Sequence, residues 1–431
     1  MRAYERLLKY VKVWTTSDEN SGKTPSFAGE LDLARMLADE LKEMGVEKVV
    51  VDDFGYVYAS VPPTPGYEKA VSLAFIAHMD TSPDVSGRNV RPILHENYSG
   101  EDVRLGDSPY VLSVKEFPHL PSLKGRTLIT TDGTTLLGAD DKAGIAEIMT
   151  ALEELLENKK PHGRLLIVFT PDEEIGEGTD HYSVRKGSAR FAFTVDGGPE
   201  GEISYENFNA SAAKVDFKGI NVHPGSAKDI MVNASKLAME YQSLLPADMV
   251  PEKTEGREGF IHLIGMKGEV ESAELQYIIR DHDSDKWREK EDILRSAAAQ
   301  MQEKYGEEAV KVTIVESYRN MLDVLKFHGD LIQRLEEATR RAGLEPFPVA
   351  IRGGTDGARL TFMGLPCPNI GTGGYGFHSR MEHTTVEGMD AVTRVILEII
   401  NMYARIEDSF VIYEKNGPLV TKKYDTLDNI T

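Results

Sequence analysis

At 431 residues, with 41% hydrophobic and 28% charged side chains, the chain has the balance of an ordinary soluble protein and the length for two or three domains. A net charge of −21, from 49 basic and 70 acidic residues, argues against nucleic acid as a partner, and no stretch approaches the roughly 20 apolar residues of a membrane helix. The single cysteine, Cys367, excludes an internal disulfide and points to a reducing compartment; with no apolar signal-peptide core in the first residues, a cytoplasmic protein is expected.

Helical spacing is present over 3–13 and more clearly over 27–44, where Leu31, Ala34, Leu37, Ala38 and Leu41 line one face and Gly45 stands at the C-cap. Val49–Val51 and Tyr56–Val61 are predicted strands around a turn at 53–55. Val71 to Ala77 is an apolar strand that ends in His78-Met79-Asp80. Residues two apart in an extended segment point the same way, so His78 and Asp80 can face one site, the imidazole as a metal ligand and the carboxylate holding its far nitrogen. Residues 81–131 are polar, rich in Pro, Gly and Asp, and weakly periodic, and are predicted to be a long excursion.

Leu136 to Gly144 leads into a helix striped by Ile145, Ile148, Met149, Leu152 and Leu155, with Asp140 and Asp141 at its start, where a helix favours negative charge. Leu165 to Phe169 reads as a strand buried on both faces and runs into Asp172, Glu173 and Glu174. Phe191 to Val195 ends in Asp196. In open α/β sheets ligands bind beyond the carboxyl ends of the strands, so these acids and His78 converge on one candidate site.

From about Ser211 the order is a strand at 211–217, a turn containing His223, a helix near 228–244, strands near 259–265 and 271–280, a helix near 285–304 and a strand at 310–316. That β-α-β-β-α-β order is ferredoxin-like. The expected fold is therefore α/β: a domain with a central, mostly parallel sheet over 1–208 and 323–431, and a second domain inserted over 209–322. A helix at 324–342 and a β-rich remainder return to the first domain. The glycine-rich loop around Arg352 to Gly357 opens a helix and could cradle an anion. Beyond it, His378 is the second candidate imidazole ligand and His383 its competitor.

Imidazole and carboxylate donors without thiolate suit zinc, with manganese or cobalt as substitutes. Two His and three acids exceed what one catalytic zinc takes, and suit two ions sharing a bridging carboxylate. Such a pair, about 3.5–4 Å apart, can polarise a carbonyl and generate a nucleophile at neutral pH. Glu173 is the candidate to move protons, with adjacent Glu174 left as a ligand.

Six segments stand in family order: His78 to Thr81, Gly138 to Lys142, Thr170 to Gly176, Val195 to Gly198, Asn221 to Gly225 and Ile351 to Gly357. On these the chain resembles, over essentially its whole length, the tripeptide aminopeptidases of the two-zinc metallopeptidase family that also contains aminoacylases and glutamate-releasing carboxypeptidases. The resemblance implies that His78 and Asp196 bind one zinc, Glu174 and His378 the other, and Asp140 both. It makes the domain over 1–208 and 323–431 the catalytic one and the inserted domain a lid or dimerisation domain, and it implies Glu173 as general base, Asp80 as the partner of His78, and His223 as a lid histidine that helps stabilise the oxyanion. It makes Arg280 and Arg352 contacts for the substrate carboxylate, and implies a homodimer through the lid. The expected activity is release of the N-terminal residue of tripeptides by a metal-bridging hydroxide. A dipeptidase, carboxypeptidase or N-acyl amino acid deacylase on the same scaffold is the alternative, and the intact Glu173 argues against a non-catalytic peptide-binding relative. Two features depart from the family: Ser379-Arg380 stands where Gly-Lys is frequent, and His383 where an apolar residue is expected.

Overall fold

A computed structural model describes residues 1–187 and 189–406. An eight-stranded sheet runs in the order Lys48–Val51, Val57–Val61, Leu165–Thr170, Leu73–His78, Phe191–Gly197, Asn369–Gly371, Glu202–Asn207 and Phe347–Ile351. Leu73–His78 is parallel to both its neighbours, and the antiparallel pairs lie towards the edges.

The unbroken apolar runs have the expected cause. Leu73, Phe75, Ala77, Leu165, Ile167, Phe169, Phe193 and Val195 point to one face, under helices Ala3–Tyr10, Ala139–Glu157 and Val386–Ala404. The alternate side chains Ala74, Ile76, Leu166, Val168 and Ala192 point to the other, against Tyr182, Leu360 and Cys367. A strand covered on both faces has no position left for an unpaired charge. Charged residues therefore begin where these strands end. Gly144 lets the helix Ala139–Glu157 close on the strand Phe191–Gly197, since a Cβ there would lie 1.9 Å from the Val195 carbonyl oxygen.

The inserted segment forms Asn209–Lys218, helix Ala234–Ser243, Phe260–Gly268, Ser272–Asp281, helix Ser284–Tyr305 and Val310–Tyr318. Its four strands make one antiparallel sheet around a separate apolar cluster that includes Tyr241, Leu275, Tyr277, Trp287 and Leu294. Three asparagines join its two ends: Asn207 Oδ1 accepts the Met321 amide, while Asn209 and Asn207 exchange hydrogen bonds with Asn320.

Three sequence expectations need correction. The 81–131 excursion is not irregular throughout: Pro92–His95 and Leu128–Thr131 join Gly374–Tyr375 and His383–Thr385 in a four-stranded sheet over a small core of Tyr98, Leu105, Leu112, Leu120, Leu123 and Leu128. The return segment is not β-rich, because Val386–Ala404 is a helix capped by Thr385. Its isoleucines and valines read as strand locally, but they fall at helical spacing and pack on the sheet. The helix expected over 324–342 is interrupted, as Leu322–Leu325 and Gly329–Arg341. Among the described residues no helix is long and apolar enough to cross a membrane.

Candidate metal centre and active site

His78 is the last residue of its strand, and its ring is buried. Its Nδ1 lies 3.1 Å from the Asp80 carbonyl and 3.2 Å from Asp80 Oδ1. Both are acceptors, so Nδ1 carries a proton, which leaves Nε2 facing outward as the nitrogen available to a metal. There Nε2 meets Asp140 Oδ1 at 3.0 Å and Asp196 Oδ1 at 3.5 Å. The other Asp140 oxygen, Oδ2, lies 3.3 Å from His378 Nε2, and that nitrogen lies 2.8 Å from Glu174 Oε2. Asp140 thus stands between the two imidazoles with one oxygen towards each.

The turn after Leu165–Thr170 is held through three consecutive amides. Asp172 N–H donates to Glu30 Oε2, Glu173 N–H to Asp80 Oδ1 and Glu174 N–H to Asp80 Oδ2, at 3.0–3.1 Å. Asp80, fully buried, therefore fixes the His78 tautomer and the two glutamates together. Glu382 fixes the other side: its carboxylate accepts the amides of Leu137, Gly138 and Asp140 at 2.7, 2.7 and 2.9 Å. His378 itself sits at φ 57°, a left-handed conformation that aims its ring from the loop back into the cluster.

The electrostatics are those of a site built around cations. Burial and the Asp140 charge push the Glu174 carboxyl up to about 8, and burial with the Asp196 charge holds Glu173 well above the usual carboxylate range. Hydrogen bonds to Asp140 and Glu174 push His378 up to about 11. Against its own burial, Asp140 is held low by those same imidazoles. Two imidazolium groups are a poor match for so many acids in one pocket. Ligand atoms of His78, Asp140 and Glu174 lie within 4.8 Å of one another, as do those of His78, Asp141 and Asp196. Buried Glu174 Oε1 and Asp141 Oδ1 have no hydrogen-bond partner among the described residues. The donor set is nitrogen and oxygen with no thiolate, and it fits divalent ions.

Residues 131–402 match peptidase family M20/M25/M40. Over 405 residues the chain is 51% identical to peptidase T of Clostridium perfringens, covering 94% of this chain and 99% of that protein. The chain belongs to the M20/M25/M40 peptidases. It is also 49% identical to peptidase T of a Geobacillus species over 401 residues, 93% of this chain and 98% of the relative. The fold is that of aminopeptidase PepT from Bacillus cereus, with a TM-score of 0.75 at 20% identity over 94% of this chain and 98% of that one. It is shared with a dinuclear metal binding M20 peptidase of Bacillus subtilis, with a TM-score of 0.61 at 14% identity over 93% and 98%.

Of the residues singled out in the sequence, His78, Asp80, Asp140, Glu173, Glu174, Asp196 and His378 come together in this M20 centre. His383 does not compete with His378: it is buried in the neighbouring sheet, with Nδ1 on the Met381 carbonyl and Nε2 on His119. His223 lies exposed in the inserted unit, where its Nδ1 accepts the Gly225 amide. Arg280 donates to the Arg352 carbonyl, while its Nε is buried and unpartnered among the described residues. Arg352 differs from expectation. Its guanidinium spends its hydrogen bonds on Thr254, Gly256 and Glu258 and packs over Phe208 and Phe260.

Four further residues shape this M20 centre without a clear signal in the sequence. Glu382 is visible there only as the fourth residue after His378. Asp141, whose Oδ2 accepts the His78 amide at 3.1 Å, is hidden behind helix capping. Glu30 looks like an ordinary first-turn acid of its helix. Asp356, which accepts the Thr170 hydroxyl at 3.0 Å and is raised to about 7 by burial, lies within the glycine-rich loop.

Proposed function

We propose that the chain is a metal-dependent aminopeptidase that hydrolyses the N-terminal peptide bond of tripeptides, with zinc as the native metal and manganese or cobalt as substitutes. The observation that carries this reading is the placement of Asp140, one oxygen towards His78 and the other towards His378, with the Glu173 amide held by Asp80, the partner of His78. We assign His78 and Asp196 to one ion, Glu174 and His378 to the other, and Asp140 to both. When bound, such ions supply Lewis acidity to the scissile carbonyl and to the attacking water.

Glu173 does the proton work. Its half-buried carboxylate takes a proton from the water as the oxygen attacks the carbonyl carbon. It returns that proton to the leaving nitrogen as the C–N bond breaks, so the amine departs neutral. Asp80 keeps the proton of His78 on Nδ1 and the glutamates in register. His223 is assigned to the oxyanion on closure of the inserted unit. Of the two arginines, Arg280 is assigned to the substrate carboxylate, since it retains an unused buried donor. Arg352 is assigned to holding the loop 254–258, because its Nη1 and Nη2 both donate to that loop.

The buried free thiol of Cys367 suits a cytoplasmic enzyme. The open edges of the inserted sheet, with Ile264, Met266 and Val315 exposed, suit a homodimer through that unit.

Product analysis of a free tripeptide and its N-acetylated twin tests the reading. Release of the first residue from the free peptide alone, lost on chelation and restored by zinc, is expected. Cleavage of the acetylated twin would replace the aminopeptidase with a deacylase or carboxypeptidase.

A further inference from the structure

His378 is carried at the tip of a hairpin. Its strands, Gly374–Tyr375 and His383–Thr385, are two and three residues long, and Tyr375 pairs with His383 at the base. The connecting loop bears His378, and Glu382 lies at its end. A hairpin this short is not stable alone in water, so its base must be held from outside.

His119, from the 81–131 segment, touches both members of that base pair. Its Nε2 lies 2.9 Å from His383 Nε2. His383 Nδ1 lies 2.6 Å from the Met381 carbonyl, which can only accept, so Nδ1 carries the proton and Nε2 of His383 is the acceptor. His119 Nε2–H is therefore the donor. The His119 ring also stacks on Tyr375, with centroids 4.0 Å apart and planes 12° from parallel. Phe117 closes the arrangement with its ring edge-on to both imidazoles. One side chain thus fixes Tyr375 by stacking and His383 by a hydrogen bond, just where the loop leaves and returns.

We propose that His119 is a positioning residue for the metal centre, clamping the base of the hairpin that presents His378 and Glu382. On this reading the 81–131 segment brings the clamp to a ligand more than 250 residues away. The proposal rests on the reading of His378 as a metal ligand.

The test compares the full-length zinc-loaded protein with His119→Ala, His119→Phe, which keeps a ring to stack, and His119→Gln, which keeps an N–H donor. His378→Ala is the ligand control. The readouts are zinc release to a chromogenic chelator, amide hydrogen exchange over 376–383, thermal midpoint, and kcat and KM on a tripeptide. His119→Ala should release one of two ions roughly tenfold faster, the scale of outer-sphere partners of metal ligands. It should also show faster exchange confined to 376–383 and a lower kcat at unchanged KM, with His119→Gln recovering much of the loss and His119→Phe recovering less. Wild-type zinc release and exchange in His119→Ala would overturn the proposal. So would a loss spread over the whole chain, with a lowered thermal midpoint and no recovery by Gln. If His378→Ala keeps both ions at the wild-type release rate, the ligand reading falls and the clamp has nothing to position.

Discussion

Glu382 and Asp140 stand 242 residues apart, yet a carboxylate oxygen of the first accepts the backbone N–H of the second at 2.9 Å. The other oxygen of Glu382 takes the amides of Leu137 and Gly138, so the whole turn that presents Asp140 hangs on one side chain. Glu382→Gln retains one acceptor where two are used and places an amide donor against backbone donors. Metal affinity should drop by about 10- to 100-fold, with kcat falling and the thermal midpoint lowered only modestly. Competitive chelator titration measures it.

Asp80 joins the two halves of the chemistry. Asp80→Asn keeps the shape but turns a donor towards either the His78 ring or the amides of Glu173 and Glu174. The variant should lose at least about 10-fold in metal affinity, and kcat should fall further than affinity, because the base moves along with the ligand. Activity at saturating zinc separates the two effects. Full recovery there would mean that Asp80 serves the metal only.

Glu147 gives a stability prediction away from the ligands. It is fully buried, neither carboxylate oxygen has a partner among the described residues, and burial holds its pKa well above 4.5. With the folded pKa raised, the folded state holds a proton that the unfolded chain gives up. The associated stability is present below about pH 4.5 and lost as pH rises above it. Glu147→Gln has no proton to lose. Its stability relative to wild type should therefore increase with pH above about 4.5, at no more than about 1.4 kcal/mol per pH unit. Urea midpoints of both proteins at pH 5 and pH 8 check the sign, and an equal difference at the two values would refute it.

The acids at the strand ends were readable in sequence because of how the fold uses its strands. Leu165–Thr170 and Phe191–Gly197 are covered on both faces, so an acid following such a run marks a strand end at the ligand side of the sheet. The β-α-β-β-α-β order of the inserted unit was readable from alternation and turns. Less was visible where a short element depends on distant partners. Leu128–Thr131 finds its neighbours at 92–95 and 383–385, and a four-residue strand carries too little pattern to announce them. The roles of Glu382 and Glu30 are hydrogen bonds to remote amides, which no local spacing records. Arg352, which the family resemblance makes a substrate contact, donates to carbonyls of a loop almost a hundred residues earlier, a pairing that no local spacing records.

Counting metal ions tests the centre most directly. Dialysed, zinc-reconstituted protein is assayed for bound zinc and tripeptide hydrolysis, wild type beside Asp140→Ala. With Asp140 shared between two ions, wild type should bind two zinc ions per chain, and Asp140→Ala should lose measurable hydrolysis and hold less than one ion firmly. Two firmly held ions in Asp140→Ala, or a single ion in fully active wild type, would contradict a two-metal site bridged by Asp140.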